Sequence, residues 1–284
     1  MSIAYLILAH SCPNHFARLT EALLRQNGAR LFVHVDAKSE IGPFRAAAPE
    51  ARVSFIEGRV DVAWGDFSIV QATLALIEAA LSDREAFSRV CLVSGADYPI
   101  RSAEHISNFF YTHRNVEFMN LVRMPADHLG KPLSRLTRYR LSPRRLGRLT
   151  KLAQRVIDGM VARDYQRHLG GMKPFAGSQW WALTPEACEY MLGFASNRVE
   201  FMRFFRHVVV PDESFFQTII GNSPFASRVR RNLTKTWWNS GASSPSILDR
   251  EKVLQLTGRE PLILEDSYGS GEVLFARKFP DDSA

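Results

Sequence analysis

Cysteine is scarce in this chain: 284 residues carry three, Cys12, Cys91 and Cys188, an odd number with no close pair. A disulfide framework and a thiolate metal site are both excluded on that ground, and the cytoplasm is the expected compartment. Cys91 lies in the apolar run 90–93 and reads as core packing. Long apolar runs are missing as well. No stretch approaches the roughly 20 apolar residues needed to span a bilayer. The opening MSIAYLILAH has no basic leading segment and its apolar run breaks at His10, so it reads as a buried first strand and not as a secretory signal. Neither GxGxxG nor GxxxxGK[ST] occurs, nor a G-x-S-x-G elbow, and His10 and His15 have no partner at zinc-binding spacing. Gly269-Ser270-Gly271 is a turn signal and nothing more. Internal repeats and low-complexity tracts are absent too.

One further absence narrows the chemistry. No two aspartates stand in an Asp-x-Asp arrangement. Many nucleotide-sugar transferases use such a pair to hold a divalent ion against the diphosphate. An enzyme of that kind without it must meet the leaving group with Lys, Arg or helix N-termini. Arg277 and Lys278, just past an apolar strand, are placed for that work, although the same pair could be an ordinary charged strand end.

Basic charge is what the chain has in excess: 36 Lys and Arg against 29 Asp and Glu, a net charge of +7. That balance suits nucleotide phosphates, an anionic membrane surface or nucleic acid equally well. Nine Lys or Arg and no acidic residue fall between 131 and 155. Part of this stretch, 146–161, has helical spacing through Leu149, Leu152, Val156 and Met160. It reads either as a solvated helix or as a surface that meets an anionic acceptor or lipid headgroups. Apart from Tyr139 no aromatic is interleaved with the basic residues, so a nucleic-acid partner is not expected. A non-catalytic module binding anionic glycan or membrane is the competing class.

The pattern of the first 120 residues alternates strands and helices. Strands are expected at 4–8, 31–35, 53–56 and 90–93, with helices at 16–24 and at 68–81, where Ser68 and Gln71 have capping-box spacing. Continuous apolar strands separated by amphipathic helices predict an α/β fold with a mostly parallel central sheet covered on both faces. Such folds place ligands just past the strand ends, which singles out His10, Asp36, Lys38, Ser94 and Asp97. Further on, 179–183 and 273–276 read as strands, and 185–194 and 212–220 as helices. The stretch 239–246 reads as a loop and the last four residues as a frayed tail. Asp212 is placed to cap the 212–220 helix. Pro211-Asp212-Glu213 would equally fix a carboxylate at the mouth of a site, as a general base requires. The five tryptophans, Trp64, Trp180, Trp181, Trp237 and Trp238, can be core or can face sugar rings.

Seven segments in order resemble the core-2/I-branching β-1,6-N-acetylglucosaminyltransferase family, which includes the peptide O-xylosyltransferases. They are AYLILAH at 4–10, VHVDAKS at 33–39, WGDFSIVQATL at 64–74, CLVSGADYPIRS at 91–102, FAGSQWWALT at 175–184, VPDESFFQTII at 210–220 and LFARKF at 274–279. The resemblance implies a GT-A-like nucleotide-sugar glycosyltransferase fold, with 1–284 as a single domain. Residues 1–120 would form its nucleotide-binding half. Residues 121–284 would form the acceptor and catalytic half, with a basic helical insert at about 131–165. It implies UDP-sugar as co-substrate, inversion at the anomeric carbon and no metal or other cofactor. Glu213 matches the catalytic base, Asp36 a uridine contact and Lys278 a diphosphate contact. Arg231, Lys235 and Arg277 are candidates for a second phosphate contact. Ser94 and Asp97 fall in segments lining the donor side, Trp64 and Trp180 in segments lining the acceptor side. Glu117 and Arg138 match acceptor-binding positions, and Trp237 or Trp238 would stack on the acceptor sugar. Because the animal members carry a membrane anchor and disulfides, the scarcity of cysteine here points to a bacterial, cytoplasmic relative. Its acceptor would be a glycan or lipid-linked saccharide at the inner membrane face. Xylose is a family donor as well as N-acetylglucosamine.

Overall fold

A computed structural model describes residues 1–141, 154, 157, 162–239, 241–242, 244–256, 258 and 261–282. The helix read at 146–161 lies outside the described residues, apart from 154 and 157. The chain opens with the expected alternation: β1 (Ile3–Ala9), α1 (Pro13–Leu24), β2 (Ala29–Val35), α2 (Gly42–Ala47), β3 (Val53–Phe55), α3 (Ser68–Leu81) and β4 (Arg89–Ser94). Then come β5 (Asp97–Pro99), α4 (Ala103–Thr112), β6 (Glu117–Met119), β7 (Val122–Arg123), α5 (Ser134–Thr137), α6 (Tyr165–Leu169), β8 (Phe175–Ala176) and β9 (Trp181–Leu183). The rest comprises α7 (Pro185–Asn197), α8 (Val199–Phe205), α9 (Phe215–Gly221), β10 (Val229–Arg230), β11 (Thr234–Thr236), α10 (Arg250–Leu254), β12 (Ile263–Asp266), β13 (Gly269–Glu272) and β14 (Phe275–Arg277).

A seven-stranded sheet in the order β10-β6-β9-β4-β1-β2-β3 forms the centre. β1 runs parallel to β2 and β4, β2 to β3, and β10 to β6, whereas β9 is antiparallel to both of its neighbours. The pleat sends alternate residues of a strand to opposite faces. Ala4 and Leu6 of β1 therefore join one core with α3, α7, α8 and α9. Ile3, Tyr5, Ile7 and Ala9 join another with α1, α2 and α4. Both faces are covered, which is why β1 carries no polar alternation. Tyr5 is fully buried, and its hydroxyl donates to Gln26 Oε1 at 2.9 Å.

A smaller sheet, β11-β14-β5, sits beside the main one. It carries the C-terminal segment, and the expected frayed tail is in part tied down. Asp281 accepts the backbone N–H of His15 at 2.9 Å and the amide of Asn14 at 3.0 Å, capping the start of α1. Two other local expectations differ. The capping box on α3 does not form. Asp66 accepts the Ser68 N–H at 2.9 Å, and the Ser68 hydroxyl instead accepts the Ala63 N–H at 3.0 Å. Asp212 does not cap α9, because 211–213 wind into a separate 3-10 turn and Ser214 stands at the helix start.

Candidate active site

The carboxyl ends of β1, β2 and β4 open into a cleft of about 1010 Å³. Adjacent parallel strands all finish on this side, so the polar residues that follow them converge there. His10, Asp36 and Ser94 line one wall. Asp36 is 7% exposed, and its carboxylate accepts the Lys38 ammonium at 3.0 Å on each oxygen. Lys38 does not itself line the cleft, and it braces Asp36 while also bonding Asp61 at 2.6 Å. Partial burial, followed by the field of Lys278, pushes the His10 imidazole below its usual range.

Cross-strand pairing holds Arg277, one of the basic residues singled out for the donor side. Arg277 lies directly opposite Asp97 in the antiparallel β14–β5 ladder, and the two make an ion pair at 3.2 Å. Asp97 is fully buried and also accepts the Ser94 hydroxyl at 2.6 Å and the Ser94 N–H at 3.0 Å. Burial pushes its carboxyl upward, and Arg277 and Ser94 oppose that shift. Asp97 thus stands behind the cleft wall and orients Arg277, whose guanidinium carbon sits 4.3 Å from the Trp180 ring centroid. Trp180 is 8% exposed and serves as a platform for this cation. Lys278 follows in the cleft wall, its carbonyl accepting the Leu248 N–H at 2.8 Å. Arg231 and Lys235 line the same cavity. Arg231 pairs with Asp266 at 2.8 Å, and burial, with Arg231 nearby, pushes Lys235 downward.

Glu213 lines the same cleft. Its turn begins at Val210, a β-branched residue held at φ 52°, in the left-handed region where strain is real. The Glu213 carbonyl accepts the Gly177 N–H at 2.8 Å. A Cβ on Gly177 would lie 1.7 Å from the Asn120 carbonyl oxygen, so only glycine fits there. Both cations that reach the Glu213 carboxylate, Lys131 at 2.5 Å and Arg135 at 2.6 Å, contact Oε2. Desolvation, partly opposed by Glu213, pushes Lys131 below its ordinary value. Asp212, next in the turn, is buried and lines the cleft, and its Oδ1 has no hydrogen-bond partner. Burial, then the negative charge of Glu213, raises its pKa to about 7. At the mouth stand two exposed rings, Trp64 at 67% and Trp238 at 55%.

Of the other residues singled out from sequence, three lie outside the cavity wall. Glu117 is fully buried, and its carboxylate accepts the Thr184 N–H and hydroxyl and pairs with Arg228 at 3.1 Å. Arg138 closes the end of α5. Trp237 packs with Leu248 and Leu256 while its neighbour Trp238 faces the cleft. Lys131, Arg135, Asp266 and Tyr268 line the cleft without having been singled out. The first two belong to the basic stretch that reads as surface, and the last two to the β12–β13 hairpin. Among the described residues no three His, Cys, Asp or Glu side chains gather as a metal group, and no helix is long and apolar enough to cross a membrane.

The main sheet is mostly parallel, and an acid-and-cation cleft opens at its strand ends, which defines a protein of the α/β class. The Core-2/I-Branching enzyme family matches residues 3–256, and the chain belongs to that family. It is similar to xylosyltransferase 2 of Canis lupus familiaris, 26% identical over 250 residues, covering 84% of this chain and 26% of the relative. It is also similar to xylosyltransferase 1 of Rattus norvegicus, 25% identical over 246 residues, with 84% and 28% covered. The chain thus spans about a quarter of the length of these curated relatives. Among solved structures it is similar to mouse xyloside xylosyltransferase 1 in its apo form. Identity there is 12%, 96% of this chain and 97% of that chain are covered, and the TM-score is 0.39.

Proposed function

We propose that the cleft transfers a sugar from a UDP-sugar to a hydroxyl of a glycan acceptor, with inversion and without a metal. The observation that carries this reading is one cavity lined both by Glu213 and by the cations Arg277 and Lys278. Glu213 takes the proton of the acceptor hydroxyl as that oxygen attacks the anomeric carbon from the face opposite UDP. Charge then grows on the departing diphosphate, where Lys278, Arg277 and the nearby Arg231 and Lys235 offer cations in a partly desolvated wall. Asp36, at the end of β2, takes the uridine, and the exposed faces of Trp64 and Trp238 take the acceptor rings.

N-acetylglucosamine is the donor sugar in this reading. The similarity to xylosyltransferases favours xylose as a second donor reading. A bacterial polysaccharide or lipid-linked saccharide at an anionic membrane face is the acceptor proposed. That part rests on the seven basic residues between 138 and 155, Lys131 and Arg135 being engaged by Glu213, and on the low cysteine content. Calorimetric titration of UDP in excess EDTA tests the metal-free phosphate site. Saturable binding supports it, and binding seen only after Mg²⁺ or Mn²⁺ is restored sinks it. Product analysis with UDP-N-acetylglucosamine and UDP-xylose then separates the two donors.

A further inference from the structure

Two carboxyl groups stand side by side in the 211–213 turn, and their surroundings differ sharply. Glu213 holds two cations on one oxygen. Asp212 is 7% exposed, lines the same cleft and leaves Oδ1 without a partner. An orphaned, buried carboxyl oxygen is costly to keep, and such groups in native folds have an explanation. We propose that Asp212 is an acceptor-binding residue, whose carboxylic acid keeps its proton and donates a hydrogen bond to a sugar oxygen beside the hydroxyl that Glu213 deprotonates. This rests on the glycosyl-transfer reading of the cleft.

Burial and the charge of Glu213 favour the proton on Asp212, and Lys131 and Arg135 oppose it. Facing it are Glu213 in its own turn, Lys131 before α5 and Arg135 on α5. Both cations bond the Glu213 carboxylate. Of the helices packed on the turn, α9 contains no charged residue, and the one charged residue of α3, Glu78, is exposed. Two neighbouring carboxyls in a poorly hydrated site do not both ionise readily. Lys131 and Arg135 bond Glu213 and not Asp212, and desolvated Asp212 retains the proton until about pH 7. A carboxylate pair could only accept hydrogen bonds. The pair of one carboxylate and one acid accepts at Glu213 and donates at Asp212, which matches two neighbouring oxygens on a sugar ring. The acceptor class implied is a polyhydroxylated ring and not an isolated hydroxyl.

Infrared difference spectra of the full chain read the acid directly. A carbonyl band of a protonated carboxyl should be present at pH 6, absent from Asp212→Asn, and shifted by one or more methyl glycosides of galactose, glucose, N-acetylglucosamine, mannose or xylose. Absence of the band, or a band that none of these sugars moves, overturns the proposal. Kinetics provide the second arm. Acceptor KM in the wild type should rise above about pH 7 as the donor proton is lost. Asp212→Asn keeps a neutral donor and should lack that rise, while Asp212→Ala should raise acceptor KM roughly 10- to 100-fold below pH 7, show no alkaline rise of its own and leave UDP affinity unchanged. An alkaline rise that persists in Asp212→Asn overturns the assignment. If the acid band behaves as expected but Glu213→Gln retains full turnover, the transfer mechanism is wrong while the Asp212 proton and its sugar contact stand.

Discussion

Glu213 accepts Lys131 and Arg135 on Oε2, and no hydrogen bond reaches Oε1 among the described residues. That geometry holds the carboxylate in place and leaves one oxygen to take a proton. Glu213→Gln should keep UDP affinity within about twofold and lower transfer by roughly 10²–10⁴, measured by calorimetry and product formation. Turnover near that of the wild type would remove Glu213 from the base position. Asp212 makes a separate claim on stability. Its pKa is raised from the ordinary 3.8 to about 7 in the fold, so the native state keeps a proton that the unfolded chain sheds. The stability tied to that proton is complete below 3.8 and is lost as pH rises through about 7. Asp212→Asn, which cannot ionise, should therefore melt close to wild type at pH 4 and well above it at pH 8. The difference has an upper bound on the order of 4 kcal/mol, from about three pKa units at 1.36 kcal/mol each. Equal melting at pH 8 would show that Asp212 is not desolvated in solution.

Elements, and not single residues, decide where the cations proposed for the phosphates stand. The β14–β5 register puts Arg277 opposite Asp97, and backbone bonds of Lys278 to Leu248 and of Phe279 to Ala96 fix the residues that follow. Lys278→Ala should weaken UDP binding about tenfold or more without lowering the melting temperature by more than a degree or two, because the strand pairing that positions it remains. Unchanged UDP affinity would move the phosphate contact to Arg277, Arg231 or Lys235. Beside Glu213, Gly177 is the point where the segment after β8 touches both Asn120 and the Glu213 turn. Gly177→Ala must push that backbone aside, at a cost of about 1–3 kcal/mol. Transfer should fall more than UDP affinity does, since the displaced element carries the proposed base and not the cations proposed for the phosphates. The β13 start at Gly269 read only as a turn, and the hairpin's arrival at the cleft through Tyr268 has no mark in its local pattern. Its strands are mostly exposed, so they lack the apolar runs by which β1 and β4 announce themselves.

Across the whole molecule the sheet mixes early and late chain: β9 lies between β4 and β6, and β10 sits on the edge. Arg89 secures this join. It is fully buried and donates to the carbonyls of His113, Val116 and Ala182, linking β4 to the end of α4 and to β9. Arg89→Met would strand those carbonyls and should cost about 3 kcal/mol in urea denaturation while leaving UDP affinity alone. Loss of UDP binding at full stability would contradict a purely structural role. The sequence by itself determined the strand–helix alternation, the two-faced burial of β1, β2 and β4, and the candidacy of His10, Asp36, Ser94, Glu213 and Lys278. These are local consequences of periodicity and of strand ends, or of motifs a few residues long. Tertiary structure alone decided that Glu117 is a buried brace, that Trp180 carries Arg277, that Trp238 and not Trp237 faces the cleft, and that Lys131 and Arg135 close on Glu213. In each of those cases the outcome depends on how distant elements are ordered in space, as with Lys131 and Arg135, which meet a carboxylate 82 and 78 residues further along the chain. Side-chain type and local spacing contain no term for strand order or helix packing, so contacts of that range are settled only when the layers assemble.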